Sequence, residues 1–127
     1  MSIYKKVGTS TTPEVHFDGK SGNFSITGKS FWEDVEKFYF PLTQWLKDTY
    51  LVAPAERTRL TIQLDYLNTS TSKQLFDVFA LLQSLTEEDK EVEIVWRFHE
   101  DDEDLEEQGK DYQSMLSIAF RLEPYSD

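Results

Sequence analysis

Two hydrophobic periods alternate down this chain, and their alternation narrows it to one class of fold. Apolar residues two apart mark a strand with one buried face, whereas steps of three and four mark one side of a helix. Val15 and Phe17, then Phe24 and Ile26, flank Asp18-Gly19-Lys20-Ser21-Gly22-Asn23, which predicts a hairpin. Leu60, Ile62, Leu64 and Tyr66 line one face of a strand over residues 59–67. Val92, Ile94, Trp96 and Phe98 line another, and Ile118, Phe120 and Leu122 a last one. Helical stripes lie between them. The first holds Phe31, Val35, Phe38, Leu42, Trp45, Leu46 and Thr49, and the second Leu75, Val78, Phe79, Leu82 and Leu85. Residues 100–113 read as a strongly acidic third helix.

Ser30 and Glu33 have the spacing of a capping box, so the first helix is expected to open at Ser30, with a kink or restart at Pro41 and a loop at Pro54. The predicted order is β-β-α-β-α-β-α-β. It describes a small α/β sandwich whose mixed sheet has an antiparallel opening hairpin and parallel strands joined by helices. Residues 1–12 read as a polar arm of one domain spanning 1–127, a length that suits a single core.

Charge and composition remove several classes of function. Thirteen basic against 24 acidic residues give a net charge of −11, which repels phosphate backbones and anionic lipid, so neither nucleic acid nor a membrane surface is expected as a partner. With no cysteine there is no disulfide scaffold, thiol catalysis or zinc–thiolate site. No apolar run approaches the ~20 residues of a membrane span, and Met1-Ser2-Ile3-Tyr4-Lys5-Lys6 has no apolar signal core, so a cytoplasmic protein is expected.

Each candidate for chemistry in the chain has a plainer reading. Gly28-Lys29-Ser30 resembles a phosphate-binding loop, but that loop needs a glycine where Asn23 stands; Gly19-Lys20-Ser21 fails too, with Glu14 in that place. Positions 100–107 hold seven acids: Glu100, Asp101, Asp102, Glu103, Asp104, Glu106 and Glu107. A calcium loop starting at Asp102 would need glycine where Glu107 sits, so a solvated helix with acids near its positive end is preferred, with a docking patch as the other reading. His16 and His99 have no nucleophile or second ligand nearby in sequence, and Trp32, Trp45 and Trp96 read as packing residues. No catalytic constellation, metal site or cofactor is expected.

Asn68-Thr69-Ser70-Thr71-Ser72-Lys73 stands apart, since four successive hydroxyls occupy a strand-to-helix junction where one cap would serve. Thr71 with Gln74 could form a capping box. The other reading is a phosphorylation site, its phosphate facing the free amides of a helix N-terminus.

The segment Leu64-Asp65-Tyr66-Leu67-Asn68-Thr69-Ser70-Thr71-Ser72-Lys73 resembles the signature of SiaC-type bacterial regulatory phosphoproteins. The likeness extends to Phe24-Ser25-Ile26-Thr27-Gly28, to Phe38-Tyr39-Phe40-Pro41 with Trp45-Leu46, and to the Trp96 strand with the acids after it. It implies a fold similar to anti-sigma-factor antagonist (STAS-like) domains and a non-enzymatic partner switch. By that resemblance Thr69 is the phosphoacceptor of a dedicated Ser/Thr kinase, with Ser70 and Thr71 as lesser candidates, and a PP2C-type phosphatase reverses the modification. Asn68, Ser70, Ser72 and Lys73 would then belong to the partner surface. The unphosphorylated form would bind and activate an effector, expected to be a diguanylate cyclase acting in cyclic di-GMP and biofilm signalling. The alternatives are an anti-sigma-factor antagonist that binds a sigma-sequestering kinase, and a small enzyme or ligand-binding domain built on the acidic cluster.

Overall fold

The structure is a computed structural model that describes residues 3–127. Its six strands, β1 (Ile3–Lys6), β2 (Glu14–Asp18), β3 (Asn23–Ser30), β4 (Arg57–Leu67), β5 (Glu91–His99) and β6 (Ala119–Tyr125), lie in the sheet in chain order. β1, β2 and β3 are antiparallel neighbours, and β3 through β6 run parallel. α1 (Val35–Trp45), α2 (Thr69–Gln83) and α3 (Glu103–Met115) each connect two adjacent parallel strands. Successive right-handed crossovers in one direction stack all three helices on one face.

The expected mixed α/β architecture is therefore present, with one added strand. β1 lies inside the segment read as a polar arm, of which residues 1 and 2 fall outside the described residues. It is held by pairing with β2, from Ile3 opposite Asp18 to Lys6 opposite Val15, and a four-residue, mostly exposed strand carries no hydrophobic period to announce it.

Several local expectations change for physical reasons. Ser30 ends β3 instead of opening a helix: its side chain is buried, and its carbonyl accepts the amide of Asn68 at 3.2 Å. α1 starts five residues later, and no side chain caps it at Asp34. Phe31 and Thr49 thus leave the predicted stripe, and Tyr39 and Tyr50 enter the core in their place. Pro41 lies within α1 without ending it; the irregularity comes at Leu46–Tyr50, where a π-helical turn is closed by the Leu51 amide on the Leu46 carbonyl at 2.8 Å. Among the tryptophans, Trp96 is buried and its indole N–H donates to the Leu105 carbonyl at 2.9 Å, whereas Trp32 is exposed. Tyr66 was expected beside Leu64. A bulge places Asp65 without a partner, so Tyr66 pairs with exposed Lys29 and Leu67 with buried Ser30. One extra residue reverses the facing of all that follow.

The core fills the space between sheet and helices. Phe17, Phe24, Ile26, Leu60, Ile62, Ile94 and Trp96 meet Tyr39, Leu42, Leu75, Phe79 and Leu82 across it. The other sheet face has no helical layer and is surfaced by charge. All four arginines lie on it: Arg57 pairs with Glu91 at 3.1 Å, Arg59 with Glu93 at 3.0 Å and Arg97 with Glu123 at 2.7 Å, and Arg121 reaches Glu93 and Glu123. Exposed pairs of this kind contribute about 0–1 kcal/mol each, so their effect is to keep an uncovered sheet polar rather than to hold it together.

α3 lies so close to β5 and β6 that only glycine fits at its contact point. A Cβ on Gly109 would sit 2.5 Å from Trp96 Cδ1 and 2.7 Å from Leu122 Cδ2. Helix propensity alone would favour alanine there by about 1 kcal/mol. The indole, fixed by its bond to Leu105, cannot yield, and overpacking of this kind costs about 1–3 kcal/mol. Gly109→Ala is therefore expected to lower the melting temperature in a circular dichroism scan; an increase would show that α3 stands farther from the sheet.

Candidate functional site

The hydroxyl cluster lies where β4 hands over to α2, at the C-terminal edge of the parallel strands. Asn68 has extended backbone, and its Oδ1 accepts the Thr71 amide at 2.8 Å. The Asn68 carbonyl accepts the Ser72 amide at 3.0 Å, closing the first helical turn. Asn68 is thus the cap, in place of the box expected from Thr71 and Gln74, and it suits the position because its short amide reaches an amide three residues on. The amides of Thr69 and Ser70, first in the helix, have no intrahelical acceptor.

The five polar side chains after the cap have separate fates. Thr69, Ser70 and Lys73 are exposed. Thr71 is fully buried: its hydroxyl donates to the Ser30 carbonyl at 2.8 Å and lies 2.8 Å from Ser30 Oγ, which in turn lies 3.1 Å from the Tyr39 hydroxyl. With the Thr71 proton on the carbonyl, one donor order fits: Tyr39 donates to Ser30 Oγ, and Ser30 Oγ to Thr71. Ser72 is half-buried. Its hydroxyl accepts from Gln108 Nε2 at 2.6 Å and lies 2.8 Å from the Tyr112 hydroxyl, which donates to the Ser72 carbonyl at 2.6 Å. The first turn of α2 is therefore tied to β3 and α1 by Thr71 and to α3 by Ser72.

Ser30, Tyr39, Gln108 and Tyr112 join the cluster in roles that the sequence does not announce, Ser30 as a buried partner of Thr71 instead of a helix cap. Parity could have found Ser30, which follows Phe24, Ile26 and Gly28 at steps of two, but an apparent capping box drew it to the helix. The other three meet the cluster only through tertiary packing.

The remaining candidates stay apart. Asp102 caps α3 by accepting the Leu105 amide at 3.0 Å, and Glu103, Asp104 and Glu106 occupy its first turn, where a helix dipole favours acids. Glu100, Asp101 and Glu107 are exposed around it, and no group of metal-ligating side chains occurs among the described residues. His16 is exposed on β2, and His99 Nδ1 accepts the Asp101 amide at 3.2 Å. Among the described residues neither histidine is hydrogen-bonded to a hydroxyl, and His99 lies 3.4 Å from the Asp127 carboxylate.

The molecule is thus a mixed α/β domain, its helices layered on one sheet face, with exposed hydroxyls on the opening turn of a firmly anchored helix. The chain belongs to the SiaC family of regulatory phosphoproteins, which it matches over residues 7–125. It is similar to apo-SiaC from Pseudomonas aeruginosa, with 25% identity and a TM-score of 0.85 over 97% of this chain and 99% of that one. The same fold is found in SiaC crystallised, as activator, in complex with the diguanylate cyclase SiaD, with 24% identity and a TM-score of 0.86 over 96% of this chain and 99% of that one. A protein of Pseudomonas aeruginosa (strain UCBPP-PA14) described as uncharacterized is 24% identical over 120 residues, 94% of either chain.

The buried hydroxyl chain has a pH signature. Burial pushes the Tyr39 phenol from its ordinary value of 10.0 up to about 12. An acid whose folded pKa is raised stabilises the fold below its unfolded pKa and loses that contribution as pH climbs through the folded one. Stability should therefore fall between about pH 10 and 12 in denaturant titrations. Tyr39→Phe should cost about 1 kcal/mol at neutral pH and flatten that alkaline fall. An unchanged alkaline limb would mean that Tyr39 is not the group responsible.

Proposed function

We propose that the chain is a non-enzymatic partner switch controlled at Thr69. In the unphosphorylated state it binds and activates a diguanylate cyclase in the cytoplasm, where the nucleotide substrate is found; a Ser/Thr kinase adds phosphate to Thr69 and a PP2C-type phosphatase removes it. The observation that carries this reading is the contrast between exposed Thr69 and fully buried Thr71 within one helical turn. A kinase must surround the acceptor hydroxyl, and Thr71 cannot be reached without breaking its bond to Ser30. Exposed Ser70 and Lys73 and the cap Asn68 flank the acceptor, while Ser72 supports the surface from below through Tyr112. The activator role of the related SiaC toward SiaD favours a cyclase over a sigma-sequestering kinase as effector. Among the described residues no helix is long and apolar enough to cross a membrane.

Electrostatics supply the switch. A phosphate adds about −1.5 to −2 charges, which the free amides of Thr69 and Ser70 and the helix dipole accommodate, so the domain stays folded. A partner covering Thr69 has no such relief, and an unpaired buried charge costs about 3–5 kcal/mol, or roughly two to three orders of magnitude in affinity. The test is to assay the purified diguanylate cyclases of the source organism for cyclic di-GMP synthesis with the chain added. One cyclase should respond to wild type and to Thr69→Ala, and lose the response to the Thr69-phosphorylated chain. Equal activation by phosphorylated and unphosphorylated protein, or phosphate mapped to Thr71, contradicts the proposal.

A further inference from the structure

We infer that Lys73 is the side chain that holds the phosphate of phosphorylated Thr69, its ammonium folding back along α2 to pair with the phosphoryl oxygens of the same chain. The inference rests on the reading of Thr69 as the phosphoacceptor. On a helix, the neighbours of a residue on its own face stand three and four positions on. For Thr69 these are Ser72 and Lys73. Ser72 is already committed. Tyr112 gives its one proton to the Ser72 carbonyl at 2.6 Å, so across the 2.8 Å contact between the two hydroxyls Ser72 donates and Tyr112 accepts. Gln108 Nε2 donates to the same Ser72 oxygen at 2.6 Å. No proton of Ser72 is left for a phosphate.

Lys73 is the opposite case. It is exposed and is the only cation of α2, and among the described residues it is in no ion pair, whereas Lys90, Lys110 and all four arginines are paired with glutamates. Order along the helix favours it too. An anion four residues before a cation is the stronger arrangement, and Lys73 before Asp77 is the weaker reverse. Other cations point elsewhere. Lys29 precedes buried Ser30 on β3 and so faces the uncovered side of the sheet, and Lys37 lies about 200° round α1 from buried Tyr39. The exposed acids of the adjoining segments, Asp34 before α1, Asp65 in β4 and Asp104 and Asp111 on α3, repel a phosphate. One lysine against about −1.5 to −2 charges leaves a surplus of about −0.5 to −1. The clamp therefore coexists with release, since a partner covering the corner still buries uncompensated charge and finds Lys73 engaged.

The test is a phosphorus-31 NMR pH titration of the full chain with phosphothreonine installed at position 69 during synthesis, which makes it independent of any kinase. A free phosphothreonine takes up its second proton near pH 6, at about the value of its second pKa. A lysine beside it favours the doubly charged form, so Lys73→Gln should raise that pKa by about 0.3 or more at low salt. Lys73→Arg should restore the wild-type value, and added salt should shrink the difference. Lys29→Gln and Lys37→Gln should leave the titration in place. Glutamine suits a helix as well as lysine does, so the melt of Lys73→Gln should match wild type. Equal titration of wild type and Lys73→Gln, no rescue by arginine, or a larger displacement in Lys29→Gln or Lys37→Gln overturns the clamp. The two readings separate cleanly. An unmoved titration with loss of cyclase activation on phosphorylation overturns the clamp and leaves the switch intact; a displaced titration with equal activation by the phosphorylated chain supports the clamp and overturns the switch.

Discussion

The buried link between Thr71 and Ser30 joins the end of one strand to the start of a helix 41 residues further along the chain. Two hydroxyls and a carbonyl leave water there, and the arrangement is tolerable only because each finds a partner, with Tyr39 completing the donors. Removing one member would leave another unsatisfied in the interior, at about 1–3 kcal/mol. This constraint fixes the corner at Asn68 and so decides which side chains of the cluster face outward. Thr69 is accessible because Thr71, two residues on, is not.

The same division of labour appears across the sheet. On the helical face, hydrophobic burial orders the layers; on the open face, arginine–glutamate pairs between neighbouring strands replace a second layer. Parallel strands are usually covered on both sides, and here the uncovered side is made compatible with water by cross-strand charge. The overall excess of acid is concentrated elsewhere, at α3 and the loop before it, where Asp102 and the first-turn acids suit the helix N-terminus. Charge in this molecule thus serves local structure.

Much of the architecture was legible in sequence because period is a direct record of burial. The hairpin, the parallel strands and the three helices followed from alternation and from steps of three and four. The failures share a cause: each involved a residue whose role is set by something distant. Ser30 reads as a cap until β4 and Thr71 arrive beside it, Tyr66 reads as core until the bulge at Asp65 turns it outward, and β1 exists only through β2. Within the candidate site, the resemblance ranked Thr69 above Ser70 and Thr71 but gave no physical reason for the order; the burial of Thr71 depends on Ser30, 41 residues away. Ser72 and Lys73 looked alike as surface residues, although one is bonded to α3 and the other faces solvent.

The central claim is that phosphate at Thr69 changes the surface of the domain and not its fold, because the first turn of α2 is fastened from beneath. It is tested most directly by comparing amide nitrogen–proton correlation spectra of the chain before and after phosphorylation of Thr69. The account expects shifts confined to the Tyr66–Lys73 corner and to the facing turn of α3 around Gln108 and Tyr112, with amides of the core strands, such as Ile62 and Ile94, unmoved. Shifts or broadening spread through β3, β4 and β5 would show that the phosphate disrupts the Ser30–Thr71 link, and the account would be contradicted.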